Sequence, residues 1–148
     1  NNEIRINMQS IGGSWQAGTT IYDAISAWKS CVTIVAYGQA ESMSGVILQA
    51  ADRRLMSPSS HFMAHFGSTD CSGDYLSSQN WAALDKSNLD LMLNKFAAKC
   101  HKTGKFFKER KYNPSKTKSY IKRKMKDGDW YLSSGEAVYY GFADGISE

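Results

Sequence analysis

The sequence has few cysteines, few prolines and no long apolar run. Its three cysteines, Cys31, Cys71 and Cys100, are odd in number and far apart, which argues against a disulfide framework and against a structural zinc site. Reduced thiols in a cytosol-like compartment are the expected state. No stretch approaches the roughly 20 consecutive apolar residues that a membrane-spanning helix needs. Neither a membrane partner, nor a metal, nor an organic cofactor is predicted.

The chain also lacks the marks of a secretory signal. It opens Asn1-Asn2-Glu3, with no methionine, no basic segment and no apolar run, so no signal peptide is visible. A strand-like segment begins almost at once. We therefore expect a processed or trimmed chain whose start is missing.

The composition is that of an ordinary globular domain, but the charge is unevenly distributed. Hydrophobic residues make up 42% and charged residues 22% of the 148 residues, a length close to one average domain of about 150 residues. The net charge is +4, and twelve of the eighteen basic residues fall between Lys99 and Lys126, where Glu109 is the only acid. A charge run by itself favours a solvated helix face over a binding site.

The first part of the chain predicts a strand, a turn and a helix. Apolar and polar residues alternate over residues 4–9, which is typical of a half-exposed strand, and a glycine-bearing turn follows at residues 10–14. Apolar residues at i, i+3, i+4 and i+7 then predict a helix. Its predicted buried face consists of Ile21, Ala24, Ile25 and Trp28.

The middle of the chain predicts two strands separated by a helix. Cys31 to Ala36 has no alternation and many β-branched residues, which predicts a strand that is covered on both faces and ends at Gly38. A helix is predicted from about Ser42, before a break at Pro58. Ser60 to Phe66 predicts the next strand.

The second half of the chain predicts mainly helices. One long helix with an apolar stripe is expected from about Tyr75 to His101, ending at Gly104. The segment Lys105 to Lys126, called the basic segment below, should contain a helix in its second half. Ser133 and Glu136 fit a capping box that opens a small helix. Strands alternating with helices predict a single α/β domain.

Ser42 is the first candidate for chemistry. It lies in GQAESM, where a strand and a turn lead into a helix. A serine at this position is most simply a helix N-cap. The alternative is a nucleophile at a helix N-terminus, where the amide of Met43 and the helix dipole would favour a developing negative charge.

A nucleophilic serine needs a base, and the chain has three histidines. His65 lies at the C-terminal end of its predicted strand, where chemistry gathers in open α/β sheets. His61 is nearer the start of that strand. His101 lies in a lysine-rich helix end and is expected to be solvated. His65 is therefore the favoured base, and an isolated strand histidine with only a structural role is the alternative.

An orienting acid and a glycine turn would complete such a site. Asp129 lies at the edge of an apolar segment, where its carboxylate could be partly buried, and its rivals are Asp127 and Asp144. Gly12 and Gly13 follow a strand, and their backbone N–H groups could approach an oxyanion or another chain because no Cβ intervenes. Alone, the two glycines predict only a tight turn.

Together these motifs resemble the proteolytic subunit of the Clp protease, the ClpP family of serine peptidases, in its phage-type branch. The resemblance rests on INMQSIGGSWQAGTTIYDAI, VTIVAYGQAESMSGVILQAADRRLMSPSSHFMAH and DWYLSSGEAVYYGFADGI, which occur in the family's order. It implies the ClpP/crotonase-like α/β fold of ββα-type units in one domain over residues 1–148. A projecting strand–helix handle is expected at about residues 67–104 and a basic insertion at about 105–126.

The resemblance also implies a serine endopeptidase with a Ser-His-Asp triad. The matched residues are the nucleophile Ser42, the general base His65, the orienting acid Asp129, the oxyanion-hole N–H groups of Gly13 and Met43, and the substrate-strand backbone of Gly12 and Gly13. Main-chain pairing with these glycines and with residues 67–73 would bind the substrate as an added strand.

The partners implied by the resemblance are unfolded polypeptides and further copies of the chain. The family assembles into stacked rings, a tetradecamer, that enclose a chamber. An ATP-driven unfoldase is a further implied partner, although its docking uses part of the family's N-terminal segment, which this chain is expected to lack. The implied location is the cytoplasm, or the host cytoplasm for a phage protein.

Four sites depart from the family's pattern. Ile11 stands where proline is usual, Glu41 where a small residue is usual, and Phe66-Gly67 where Gln-Pro is usual. Gly128 replaces an arginine that links ring assembly to the active site in many members. A carboxylate at Glu41 could pair with a base or raise the cost of a nearby oxyanion.

Two other functions stay open. A catalytically impaired or non-peptidase protein of the crotonase-like fold would keep the glycine turn without needing the three side chains. A binding module would instead use the basic segment, in which Phe106, Phe107, Tyr112 and Tyr120 are interleaved with lysines, to contact phosphates and stack on bases. Nucleic acid is the less favoured partner, because a charge run alone is weak evidence.

Overall fold

Strands and helices alternate along the chain and form a mixed α/β fold, as predicted. A computed structural model describes residues 2–68 and 72–148. The strands are β1 (Ile4–Ser10), β2 (Val32–Glu41), β3 (Arg53–Met56), β4 (His61–Ala64), β5 (Trp130–Ser133) and β6 (Gly145–Ile146). The helices are α1 (Trp15–Ser26), α2 (Met43–Leu48), α3 (Tyr75–Thr103), α4 (Lys105–Glu109), α5 (Pro114–Lys126) and α6 (Ser134–Tyr140).

One sheet of six strands organises the molecule around β2. Strand β2 pairs in parallel with β1, with β3 through residues 33–36, and with β4 through residues 39–41. Strand β6 lies next to β3, and β5 is the antiparallel neighbour of β4. Because β2 and β4 are parallel, the residues that follow them emerge at the same edge of the sheet, which is where sites form in such sheets.

The prediction that β2 ends at Gly38 is wrong, because the strand continues to Glu41. Gly38 has φ +65°, a left-handed conformation that glycine adopts without a steric penalty. The register of β1 against β2 shifts here, from Met8 opposite Ala36 to Ser10 opposite Ala40. The glycine therefore forms an irregularity inside the strand, and β2 carries on to the residue before Ser42.

Helix α1 turns to the core a face that shares only Ile25 with the predicted one. Ile21 and Trp28 are 47% and 55% exposed, and Ala24 is exposed too. The side that packs inward carries Trp15, Gly18, Tyr22 and Ile25. At Gly18 an added Cβ would lie 2.1 Å from Met43 Cγ, so the missing side chain lets α1 approach α2. Apolar spacing does not predict that a glycine is buried, because glycine has no side chain to count.

Strand β3 is not predicted from the sequence, because two of its four residues are arginines. Arg54 lies in it and is only 1% exposed. Its guanidinium donates to both carboxylate oxygens of Asp144 and, at 2.7 Å, to Oε1 of Gln49. A buried cation must be paired and hydrogen-bonded to be tolerated, so Asp144 holds the end of the chain to β3 and is not an acid for His65.

The long helix α3 confirms its prediction and ends at Gly104. Its apolar stripe, from Met92 to Cys100, is buried. No described side chain between Tyr75 and Leu91 is buried, so the first half of α3 is uncovered. Burial raises the pKa of the Cys100 thiol, and Cys31 is an exposed free thiol. Cys71 lies outside the described residues.

The aromatic residues of the basic segment face inward. Phe107 is fully buried, Phe106 nearly so, and Tyr112 and Tyr120 are half-buried. Burial is the main reason that the pKa of Tyr120 is raised to about 12. The cations lie outside this cluster, for example Arg110 over the Phe106 ring at 3.8 Å. These rings form a core, which argues against the alternative in which they stack on nucleic-acid bases.

The remaining helices follow the predicted signals. Helix α5 begins at Pro114, and α6 opens with the predicted capping box of Ser133 and Glu136. The expectation that His101 is solvated is wrong, since it is half-buried and its Nδ1 has no hydrogen-bond partner in the described structure. Within residues 2–68 and 72–148, no helix has the length and apolar character needed to cross a membrane.

Candidate active site

Ser42 lies at the junction of β2 and α2, in a sharp strand-to-helix turn. Its backbone has φ 54° and ψ −124°, a sparsely populated conformation that costs on the order of 1–3 kcal/mol for a residue with a Cβ. Its N–H donates to Met63 O at 2.8 Å, which fixes the turn against β4. The side chain makes no capping bond to α2. The N-cap explanation therefore does not account for this serine.

His65 follows β4 and meets the Ser42 hydroxyl. The pairing of β2 with β4 sets Glu41 opposite Met63, so the two side chains that follow these strands converge at one edge of the sheet. His65 Nε2 lies 2.7 Å from Ser42 Oγ, within hydrogen-bonding distance. The His65 side chain is 27% exposed, which keeps the ring reachable from solvent.

Asp129 lies on the other side of the same imidazole. It precedes β5, whose first residue, Trp130, is opposite Ala64 of β4. The antiparallel pairing therefore brings Asp129 next to His65, and Oδ1 lies 3.2 Å from His65 Nδ1. This contact fits the tautomer in which Nδ1 carries the proton and Nε2 accepts one from the serine. The carboxylate is 52% exposed, more than its position beside an apolar segment predicts.

The two rival acids lie elsewhere. Asp144 is held by Arg54, and Asp127 is an exposed residue at the C-terminal end of α5. Of the three candidate aspartates, the structure therefore brings Asp129 to the histidine.

The Gly12-Gly13 turn packs directly against the Ser42 segment. Gly12 has φ +96°, and an added Cβ would lie 2.8 Å from Ser42 Cβ and 3.0 Å from Met43 N. Only glycine fits this approach. The hydroxyl of Ser44 donates to Ser10 O at 2.8 Å and ties the start of the turn to α2. Gly13, with φ +153°, and Met43 both line the space beside the serine.

A cavity of about 320 Å³ opens beside Ser42 and His65. One wall comes from the glycine turn and α1, and the opposite wall comes from α3. The lining residues are Gly13, Ser14, Trp15, Ser42, Met43, His65, Phe66, Gly67, Ser68, Asp85, Asn88, Leu89 and Met92. The cavity is thus large enough for a side chain of a substrate next to the candidate nucleophile.

Glu41, which departs from the family's pattern, pairs with His61, the first residue of β4. Glu41 Oε1 lies 2.5 Å from His61 Nε2. The Glu41 carboxylate is mostly buried, and the His61 ring lies 5.9 Å from the ring of Tyr131. Glu41 therefore pairs with His61 and not with His65, although it directly precedes the serine.

The sequence analysis missed the contribution of α3 to the cavity. Asp85 and Asn88 line it beside the predicted apolar residues Leu89 and Met92. The available signal was position, since Asp85 lies four residues before Leu89 and thus on the same face of the helix. Of the predicted substrate strand at residues 67–73, Gly67 and Ser68 line the cavity, whereas residues 69–71 lie outside the described part of the chain.

No metal site accompanies the candidate triad in the part of the chain that the structure describes. In residues 2–68 and 72–148, no three His, Cys, Asp or Glu side chains lie close enough together to hold an ion. The groups available for chemistry at the cavity are therefore the hydroxyl, the imidazole, the carboxylates and the backbone N–H groups.

Comparison with known proteins points to one family. The family model described as Clp protease matches residues 1–148. The chain is 32% identical over 149 residues to the ATP-dependent Clp protease proteolytic subunit of Chlorella vulgaris, covering 99% of this chain and 67% of that protein. The subunit of the same name from Cyanophora paradoxa is 29% identical over 150 residues, covering 97% and 68%. That of Deinococcus radiodurans is 36% identical over 74 residues, covering 49% and 36%.

Proposed function

The chain belongs to the Clp protease family, and on that premise we propose that it is a serine endopeptidase acting on unfolded polypeptides through Ser42, His65 and Asp129. The single observation that carries the proposal is the 2.7 Å contact between Ser42 Oγ and His65 Nε2. A helix-capping serine has no reason to make this contact. The nearby carboxylate of Asp129 supports the same assignment.

In the proposed reaction, Ser42 Oγ attacks the carbonyl carbon of a peptide bond while His65 Nε2 takes the hydroxyl proton. The tetrahedral intermediate collapses as the protonated His65 gives that proton to the leaving amine, which leaves an acyl-enzyme on Ser42. A water molecule, deprotonated by His65, then releases the acid. Asp129 holds the proton on Nδ1 and stabilises the imidazolium through the 3.2 Å contact.

The N–H groups of Gly13 and Met43 are proposed to stabilise the oxyanion. The close packing of Gly12 on Ser42 and Met43 supports this role, because it holds the glycine turn beside the amide at the start of α2. Removing one such donor costs about 2.7–4 kcal/mol of transition-state stabilisation in a comparable serine peptidase.

The substrate is proposed to bind in an extended conformation, paired through its backbone to the Gly12-Gly13 turn and to the segment that begins at Gly67. Backbone pairing needs no particular side chains, which suits the degradation of unfolded chains. Both segments line the cavity beside Ser42, so a peptide between them would pass the hydroxyl.

We further propose that the chain assembles into stacked rings that enclose the sites. Large apolar side chains are exposed along the first half of α3, namely Tyr75, Leu76, Trp81 and Leu84. Exposed apolar surface of this kind is typical of an interaction site. An ATP-dependent unfoldase as a partner, a cytoplasmic location and a phage-type origin are further parts of the proposal.

A fluorophosphonate probe tests the proposed nucleophile, since it phosphonylates only an activated serine. The full-length, assembled chain is incubated with the probe, and the adduct is located by peptide mass spectrometry. We expect one adduct on Ser42, none in Ser42→Ala, and a strongly slowed reaction in His65→Ala. Ser119→Ala, which removes an exposed hydroxyl from α5, should label like the wild type.

The contrary result is equally clear. A folded and assembled wild type that takes up no probe on Ser42 would favour the non-peptidase, crotonase-like alternative. Circular dichroism on the same samples establishes that each variant is folded.

A further inference from the structure

One carboxylate in the cavity has no partner among the residues that the structure describes. Asp85 is half-buried on α3 and lines the cavity beside Ser42, yet within residues 2–68 and 72–148 it makes no hydrogen bond and no ion pair. The other aspartates of this region are engaged: Asp74 accepts from Ser77 N at 2.8 Å, and Asp90 pairs with Lys118. A half-buried carboxylate without a partner carries a desolvation cost that a bound cation would offset.

The position of Asp85 on α3 suits a long side chain entering from Ser42. Asp85, Leu89 and Met92 have the spacing of one helix face, and all three line the cavity. Asp85 lies about 10 Å from Met92 along the helix axis, because seven residues each rise 1.5 Å. The side chains of Leu89 and Met92 therefore form an apolar stretch of the cavity wall that leads to the Asp85 carboxylate.

A lysine or arginine side chain has the matching chemistry. Its aliphatic stem packs on apolar surface while its charged end stays polar. The stem would lie on Leu89 and Met92, and the cation would reach Asp85, with the amide of Asn88 one turn further along the same wall. An apolar side chain would instead cover the Asp85 carboxylate without pairing it.

We propose that the cavity beside Ser42 selects a basic side chain on the acyl side of the scissile bond, with Asp85 as the residue that determines this specificity. The inference rests on the proposed function and names the substrate class of the same site. The acyl-side residue stays attached to Ser42 in the acyl-enzyme, which keeps its side chain within reach of the cavity that the serine lines.

Peptide amides that release a fluorescent aminocoumarin test the inference, because they differ only in the acyl-side residue. The informative pair is arginine and citrulline, which match in shape but differ in charge. For the wild type we expect kcat/KM for the arginine substrate to exceed that for citrulline roughly tenfold or more, since a charge-assisted hydrogen bond is about twice as strong as a neutral one. In Asp85→Asn the ratio should fall to about one.

A matched control removes the same charge elsewhere. Asp23 is exposed on α1 and lies outside the cavity, so Asp23→Asn should keep the wild-type ratio. Asp85→Lys should reverse the preference, with a glutamate substrate hydrolysed faster than an arginine one. A loss of discrimination in both Asn variants would trace the effect to net charge and would overturn the assignment of Asp85.

The failure of this inference is distinct from the failure of the proposed function. Labelling of Ser42 by the fluorophosphonate together with equal rates for arginine and citrulline would overturn the role of Asp85 and leave the peptidase intact. A ratio that persists unchanged in Asp85→Asn would overturn it as well. Absence of both labelling and hydrolysis would overturn the proposed peptidase function, and the proposed specificity would fall with it.

Discussion

At the scale of single residues, Asp129 raises the question of how well a half-exposed carboxylate orients a histidine. Its Oδ1 contacts His65 Nδ1 at 3.2 Å while half of its side chain faces solvent. Water competes for such a carboxylate, so its hold on the imidazole is weaker than that of a buried one. In the proposed mechanism the tautomer of His65 nevertheless depends on Asp129, because the rival carboxylate, Asp144, is bound to Arg54.

We predict that Asp129→Asn lowers kcat by about 10² to 10⁴, the range for loss of a positioned proton-transfer partner. An asparagine can present its NH₂ to Nδ1 and so favour the tautomer that protonates Nε2, which then cannot accept the Ser42 proton. Peptide hydrolysis and the rate of fluorophosphonate labelling both measure the effect. Asp127→Asn, two residues away, removes an equal charge from an exposed position and should leave both rates unchanged. Equal losses in the two variants would argue for a general effect of charge.

The sequence could indicate the residues of the proposed triad but not all of their surroundings. Ser42, His65 and Asp129 stand beside recognisable signals, namely a strand-to-helix turn, the end of a strand and the edge of an apolar run. Asp85 carries no such signal, because a carboxylate on an exposed helix is ordinary in sequence. The pairing of Glu41 with His61 depends on the register of β2 against β4, which a single sequence does not specify.

At the scale of elements, the glycine turn and the Ser42 turn are built as one unit. The missing Cβ of Gly12 lets two backbones meet, and the bond from Ser44 Oγ to Ser10 O holds them together. The unusual backbone of Ser42 is tolerated because β4 fixes it through Met63 O. The geometry of the candidate site therefore depends on the packing of these turns as much as on the reacting side chains.

We predict that Gly12→Ala slows labelling of Ser42 by roughly 10²-fold, the effect of a misplacement of about 1 Å at a reacting group. The new Cβ would overlap Ser42 Cβ and Glu41 O, at 2.8 and 2.9 Å. Gly38→Ala is the matched control, since φ is +65° and its nearest neighbour, Gln9 Cγ, lies at an ordinary 3.5 Å. Both variants should lose about 1–2 kcal/mol of unfolding free energy in urea from the left-handed backbone. If Gly12→Ala labels as fast as Gly38→Ala, the two turns are not one unit.

A helix or strand could be predicted from the sequence where its signal is local. Periodic apolar residues and caps are local, and they identified α3, α5 and α6. Strand β3 cannot be predicted in this way, because burial of its Arg54 depends on Asp144, a partner that is distant in the sequence. The buried face of α1 cannot be predicted from apolar spacing alone, because the helix contacts α2 through a glycine, Gly18.

At the scale of the whole molecule, the two halves of α3 differ in how far they are covered. The second half of α3 packs on the domain, whereas the first half carries apolar side chains that nothing covers in the described structure. The basic segment differs, since its rings are buried or half-buried and most of its exposed residues are cations. The apolar face, and not the basic one, therefore has the composition of an assembly surface.

We predict that Trp81→Glu converts stacked rings into single rings. Trp81 is 46% exposed in the uncovered half of α3, and an aromatic side chain at the centre of an interface contributes on the order of 2 kcal/mol or more. In a ring assembly this loss recurs in every subunit, so the stacked form should dissociate at micromolar concentration. Native mass spectrometry gives the mass of each form directly.

Ser119→Glu is the matched control, because it adds the same charge to an exposed position on α5, outside the apolar face of α3, and should keep the double ring. Labelling of Ser42 in the single rings then separates two roles of α3. If single rings react normally, the site beside Ser42 does not depend on stacking. If labelling falls with dissociation, stacking also stabilises the wall formed by Leu89 and Met92 beside Ser42. An unchanged mass for Trp81→Glu would show that the subunits meet through another surface. The next to test would be the exposed side of α1 with Ile21, together with Trp28 just after that helix.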